Sequence, residues 1–277
     1  MAFLSKHRRV VSLSELVELA RADRSPPAGT VCITFDDGYL DNLEVAAPVL
    51  ARYRLPATLF LATGYVERGE AQWADALHSV WRRRREHRLS LPELGVAAVD
   101  LSSQEASAKV RELLHRVFIE ARREERERWL LALREQLKPE GSMPRLTMRW
   151  ADARALLERH PLFEIGGHTR DHIDLRRHGD DVAQREINGC ADDLRRELSL
   201  EHGHFSFPYG RWRDGARELV IREGWRSAVG AGHEVRIGRG SDRFALPRVE
   251  APRDMTAFRF VTSGAYPGAL ALLGLRP

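Results

Sequence analysis

At 277 residues the chain is long enough for one large domain with a sizeable buried core. Its 43% apolar and 30% charged residues exclude a disordered chain, a collagen-like segment and a coiled-coil rod. The 44 basic against 40 acidic residues leave a charge of +4, too mild to mark nucleic acid or membrane as a partner.

Met1 to Val11 is basic but has no apolar core of a signal peptide behind it. No stretch reaches the roughly 18–20 apolar residues that a membrane span needs. The chain as written reads as cytoplasmic, the alternative being an export signal trimmed beforehand. Thr30–Phe35 (TVCITF) reads as a buried strand ending in Asp36-Asp37-Gly38. Asn42–Tyr53 then places Leu43, Ala46, Ala47, Val49 and Leu50 at helical spacing. A second strand, Ala57–Ala62, follows Pro56.

From about Trp73 to Lys138 only helices are expected. Val110, Leu113, Leu114, Val117, Phe118 and Ala121 make one apolar stripe, and Trp129, Leu130, Leu133 and Leu137 continue it. This region, about 73–145, reads as a helical insertion in a single domain spanning 1–277. It could shape a substrate groove or an oligomer contact, and its sequence decides neither that nor the oligomeric state. Arg82–Arg85, followed by Arg88, reads as a solvated helix face; the sharper reading is a patch for an anionic headgroup or a phosphate-bearing carrier. No base-reading or RNA-binding motif accompanies it, so no nucleic acid is expected.

Further strands are expected at Phe163–Gly166, Phe205–Phe207, Ser227–Val229 and Phe244–Val249, with helices at Trp150–Arg159, Asp180–Leu198 and Asp214–Glu223. Strand–helix alternation of this kind predicts an α/β fold with a parallel sheet or barrel. Cys32 and Cys190 form no C-x-x-C, which excludes a zinc knuckle and leaves buried free thiols as the expectation.

Three short segments carry candidate chemistry. Asp36-Asp37-Gly38 closes a strand, where parallel α/β folds build their active sites; taken alone it could equally be a turn. His168 and His172, after the strand from Phe163, can converge on one ion if the backbone turns helically, and neutral imidazole is a favoured zinc ligand. A third ligand from Asp37 would leave an open position for water, as catalytic zinc sites have. By themselves the two histidines could be a coincidental pair, since the chain has 11. Phe205–Gly210 (FSFPYG) is a strand running into a turn, able to offer an aromatic wall and backbone N–H groups.

Together, in this order and spacing, Thr34–Gly38, His168-Thr169-Arg170-Asp171-His172 and Phe205–Gly210 resemble the first three motifs of the polysaccharide deacetylase family, also called carbohydrate esterase family four. The Phe-x-Phe-Pro-Tyr-Gly form resembles its exopolysaccharide-associated branch. The resemblance implies a distorted (β/α) barrel of seven or eight strands and a divalent metal, usually Zn2+, with Co2+ or Ni2+ able to substitute. It implies Asp37, His168 and His172 as metal ligands, Asp36 as general base and the Tyr209 backbone N–H as an oxyanion donor.

The chain departs from the family pattern in two places. Where the family often carries an arginine two residues before the proline, this chain has Ser206, and Arg248 is the candidate replacement partner of Asp36, with a structural ion pair as the alternative. The Leu-x-x-His motif that supplies the general acid is not found; His233 is the late histidine that could reach the site. Trp225 could line the acyl pocket or belong to the core. The expected activity is hydrolysis of an N-acetyl group from an N-acetylhexosamine unit in a polysaccharide, oligosaccharide or lipid-linked precursor, the last with peripheral lipid contact. A deformylase or amidase acting on a lipid-linked amino sugar or small cyclic amide would use the same motifs. A non-catalytic glycan-binding relative is the reading from a different class.

Overall fold

Ala57–Leu61 alternates as a strand must: Phe60 joins one apolar cluster while Leu59 and Leu61 join another. All five residues are buried, which places this strand inside a parallel sheet covered on both faces. The structure is a computed structural model describing residues 1–201, 203–231 and 237–264. It divides into two compact units, Met1–Arg68 with Met148–Pro277, and Gly69–Thr147.

The strands in chain order are β1 (Arg9–Val11), β2 (Thr30–Cys32), β3 (Thr34–Phe35), β4 (Ala57–Leu61), β5 (Arg88–Leu91), β6 (Val96–Asp100), β7 (Phe163–Gly167), β8 (His204–Ser206), β9 (Ser227–Ala231) and β10 (Leu246–Arg248). In the first unit, six of them form one sheet in the order β10-β9-β8-β7-β4-β3, every pairing parallel. Only Ile33 separates β3 from β2, and β2 pairs in parallel with β1, so this segment carries the sheet on to β1. Val11 of β1, Phe60, Val229 of β9 and Leu246 of β10 share one apolar cluster. Residues from opposite ends of the strand order thus meet, and the sheet curls into a partial barrel. Leu13, Leu16 and Val17 of the helix Leu13–Arg21 complete that cluster. Pro247 is tolerated because β10 is an edge strand and need not donate to a further neighbour.

The other face is covered by helices at the expected positions. Val182, Ala183, Ile187, Cys190 and Leu194 of Asp180–Leu198 pack there with Ala153 and Leu156 of Trp150–Arg159 and with Ala216, Leu219 and Val220 of Asp214–Arg222. Trp225 belongs to this core and not to an acyl pocket: it is 4% exposed and stands edge-on to Phe205. Cys190 is a buried free thiol, its ionisation pushed up to about 12 by burial.

Packing is tight where β7 meets its neighbours. A Cβ on Gly166 would collide with the backbone oxygen of His204 and lie 2.7 Å from the Phe60 ring. Backbone cannot rotate away, so Gly166→Ala is expected to lower stability by about 1–3 kcal/mol. A shift of the urea midpoint at unchanged slope would measure it; a wild-type midpoint would mean that β7 gives way freely.

The second unit corrects the expectation of helices alone. It has helices Trp73–Arg82, Gln104–Glu120 and Arg123–Leu137, but also an antiparallel hairpin of β5 and β6. Leu89 and Leu91 are buried while Arg88 and Ser90 are exposed, a two-residue period spread over only four residues and written in leucine, which also favours helices. The apolar stripes hold: Phe118 packs between Trp73 and Trp129 at 5.7 and 5.4 Å, with Leu114, Leu133 and Leu137 buried. Arg82–Arg85 is not one solvated helix face, because the helix ends at Arg82. Arg84 turns back to donate to the Trp81 carbonyl at 2.6 Å and to Ser107 Oγ at 3.2 Å. No helix among the described residues is long and apolar enough to cross a membrane.

Candidate active site

Because the sheet is parallel, the segments leaving β3, β7 and β8 and the last residue of β10 all emerge at one end of it. There the structure brings together Asp36, Asp37, His168, His172, Tyr209 and Arg248. His233 lies outside the described residues.

The backbone there is unusual. Among the described residues other than glycine, eight have positive φ, and Asp37 (74°), Thr169 (62°), His172 (47°) and Tyr209 (57°) are four of them. Left-handed backbone is costly for residues with a Cβ and persists where the surroundings over-determine it. The His-x-x-x-His segment is therefore a loop and not the helical turn that its spacing suggested. Gly38, at φ 77°, follows Asp37; a Cβ there would come within 2.8 Å of Leu61.

His168 is 1% exposed and its Nδ1 lies 2.7 Å from the Ser206 carbonyl oxygen. A carbonyl only accepts, so Nδ1 carries the proton and Nε2 presents its lone pair. Nε2 is buried without a hydrogen-bond partner, 3.7 Å from Asp37 Oδ1 and 3.8 Å from Asp36 Oδ2. Burial holds the His168 imidazole below its ordinary value, against the pull of Asp36, so the ring is neutral at pH 7. His172 Nε2 lies 3.3 Å from the same Asp37 oxygen. One ligand atom each from Asp37, His168 and His172 falls within 4.8 Å of the others. Two imidazole nitrogens and one carboxylate oxygen, with the buried lone pair of His168 aimed among them, fit a divalent ion such as zinc. Tyr209 walls the site with its ring edge-on to His172, centroids 4.6 Å apart.

Arg248 reaches Asp36 from β10. Its two terminal nitrogens donate to Oδ1 at 2.8 Å and Oδ2 at 2.7 Å, a fork-on-fork pair, and also to Thr34 Oγ1 and Ser206 Oγ. Burial pushes the Asp36 carboxyl up, but His168, the Arg248 hydrogen bond and charge, and His172 outweigh it and hold it at about 2. Arg248, a guanidinium that stays protonated at any working pH, is the permanent cation beside it. The depressed value means that this carboxylate stabilises the fold fully above about 4 and loses that contribution as pH falls through about 2. Arg248→Met keeps the chain length and removes the charge, leaving burial to dominate. The acid limb of the pH–rate profile is then expected to move up by about a unit or more. An unmoved limb would show that Arg248 does not govern Asp36.

Sequence reading missed the groups that brace the histidine loop. Glu186 and Asp193 sit on the inward stripe of Asp180–Leu198, among Val182, Ala183, Ile187 and Cys190. Charged residues at apolar-stripe positions are the signal that would have found them. Asp193, 2% exposed, accepts from Thr63 Oγ1 at 2.8 Å and Arg170 Nε at 2.9 Å, and Arg68 pairs with Asp171 at 2.6 Å.

A polysaccharide deacetylase family model matches residues 23–110. The Bacillus subtilis (strain 168) protein YxkH, whose name places it in the same family, is 51% identical over 39 residues, a match that spans only 14% of each chain. Among solved structures, IcaB from Ammonifex degensii superposes with a TM-score of 0.58 at 16% identity, covering 96% of this chain and 84% of its own. The Streptococcus pyogenes deacetylase PplD, solved in complex with acetate, gives 0.55 at 17% identity, covering 89% and 75%. The BpsB deacetylase domain from Bordetella bronchiseptica gives 0.53 at 14%, covering 89% and 80%. At these identities the solved structures establish the shared fold, a curled parallel α/β sheet of the deacetylase type. The sequence match to the polysaccharide deacetylase family thus covers residues 23–110, and over the rest of the chain the likeness is one of fold.

Proposed function

We propose that the chain is a metal-dependent N-deacetylase acting on N-acetylhexosamine units of a glycan or glycan precursor. The observation that carries this is the convergence of Asp37, His168 and His172 around the buried, unpartnered lone pair of His168, beside an ionised Asp36. Asp37, His168 and His172 would hold the ion. When bound, a divalent ion there polarises the amide carbonyl and acidifies a water.

The chain's own groups supply the rest. Asp36, ionised and fixed by Arg248, is the acceptor for the water's proton. The Arg248 pair lowers the basicity of Asp36, which suits it to a water already made acidic. Tyr209, in a left-handed turn with its ring against His172, would offer its backbone N–H as the oxyanion donor that the family resemblance implies. His233 is the candidate acid for the departing amine. A deformylase acting on a lipid-linked amino sugar would use the same groups.

The test is product release from a panel of N-acetyl and N-formyl amino sugars, free and lipid-linked, by metal-free and by zinc- or cobalt-reconstituted protein. Metal-dependent acetate release is the expected result. Formate alone would replace the deacetylase with a deformylase, and a chain that binds no metal and releases neither product would be a glycan-binding relative.

A further inference from the structure

The backbone between the two histidines runs through left-handed Thr169 and His172, so something must hold it in that shape. Its carbonyls are taken on one side, where Thr63 N donates to Thr169 O at 3.1 Å and Gly64 N donates to Arg170 O at 2.9 Å. Its amides are taken on the other. The backbone N–H groups of Arg170 and Asp171 both donate to one oxygen, Glu186 Oε2, at 2.9 and 2.8 Å. Two consecutive amides converging on a single carboxylate oxygen form a small anion-holding nest, occupied by the protein's own side chain.

The surrounding contacts leave this loop little room. Gly189, one turn along the same helix, gives the Arg170 side chain passage; a Cβ there would lie 2.5 Å from Arg170 Cδ. A Cβ on Gly64 would lie 2.8 Å from the Asp171 carboxylate and 2.9 Å from the Arg170 carbonyl oxygen. The helix Asp180–Leu198 is itself fixed on the sheet by its apolar stripe. Glu186 thus connects a rigid element to the three residues that separate His168 from His172.

We propose that Glu186 is a positioning residue for the metal centre: by holding the Arg170 and Asp171 amides it sets the spacing and orientation of the two imidazoles before any ion arrives. This rests on the reading of Asp37, His168 and His172 as ligands. Glu186 is not one of the three candidate ligands and its Oε2 is taken by the two amides, so its effect is on affinity and on the geometry of the bound metal.

The experiment is a Co2+ titration of the whole chain, read by visible absorption, with Zn2+ competition giving the affinity. Wild type is expected to bind one Co2+. Glu186→Ala removes the acceptor and is expected to weaken binding about 10–100-fold and to alter the Co2+ bands. Glu186→Gln keeps a carbonyl oxygen at the same reach, able to accept both amides, and is expected to stay within about threefold of wild type. Glu186→Asp is one methylene short and is expected to follow alanine. Should the alanine variant fail to fold, the contrast between Gln and Asp carries the same information. Asp181→Ala, exposed on the same helix, is expected to bind as wild type. Wild-type affinity and spectrum in both Glu186→Ala and Glu186→Asp would overturn the proposal, as would equal weakening by Asp181→Ala. A wild-type chain that binds no Co2+ would instead overturn the metal-centre reading beneath it.

Discussion

Replacing His168 by alanine is expected to remove both the metal and the activity. The imidazole is the most constrained of the three candidate ligands: 1% exposed, with its backbone N–H bonded to the Leu61 carbonyl at 2.9 Å and its Nδ1 proton committed to Ser206. Alanine leaves one nitrogen and one carboxylate, too few to hold an ion against water. It also strands the Ser206 carbonyl in a buried position, which costs about 1–3 kcal/mol of stability by itself. Zinc content is therefore expected to fall from one per chain to none, and turnover by more than about 1000-fold, while the chain still folds. Metal analysis after gel filtration, with a melting curve on the same sample, decides the matter. Stoichiometric zinc at wild-type affinity in this variant would remove His168 from the ligand set.

Asp36→Asn is expected to separate metal binding from catalysis. The neutral amide cannot accept a proton from water, and its NH2 group faces the Arg248 guanidinium with a donor where the carboxylate offered an acceptor. The three candidate ligands are untouched, so zinc is expected to remain at one per chain. Loss of a positioned general base typically costs 100- to 10,000-fold, and kcat is expected to fall within that range. A kcat within tenfold of wild type would show that another group takes the proton. The pair of variants is more telling than either alone, because a general loss of structure would move metal content and kcat together in both.

Much of this site was legible before the structure because its residues occupy the ends of apolar runs. Asp36 and Asp37 follow Thr30–Phe35, and Arg248 closes a short run after Phe244; in a parallel sheet such ends lie on one side. The pairing of Arg248 with Asp36 could be suggested from the missing arginine at Ser206, but only the curl of the sheet brings β10 across to β3. What stayed hidden was of two kinds. β1 and the β5–β6 hairpin are three to five residues long, too short for a period to stand out from helix-favouring neighbours. The shape of the histidine loop is the other. Spacing alone suggested a helical turn, whereas the convergence is made by left-handed residues whose stability comes from Glu186, Thr63 and Gly64, remote in sequence. Backbone strain of this sort leaves no local mark in the residues that bear it.

Supplying the Asp36 partner from β10 instead of from position 206 constrains how the sequence can change over generations. Ser206 is fully buried and its hydroxyl accepts from Arg248 at 2.8 Å, so one volume is shared by two positions 42 residues apart. An arginine arriving first at 206 would crowd a second guanidinium into that volume. Losing the one at 248 first would leave the partly buried Asp36 without its fork-on-fork partner. Both single steps are disfavoured while the double exchange is permissible, which is strong epistasis between the two sites. A guanidinium beside Asp36 can therefore be moved from one strand to the other only by changing both positions together.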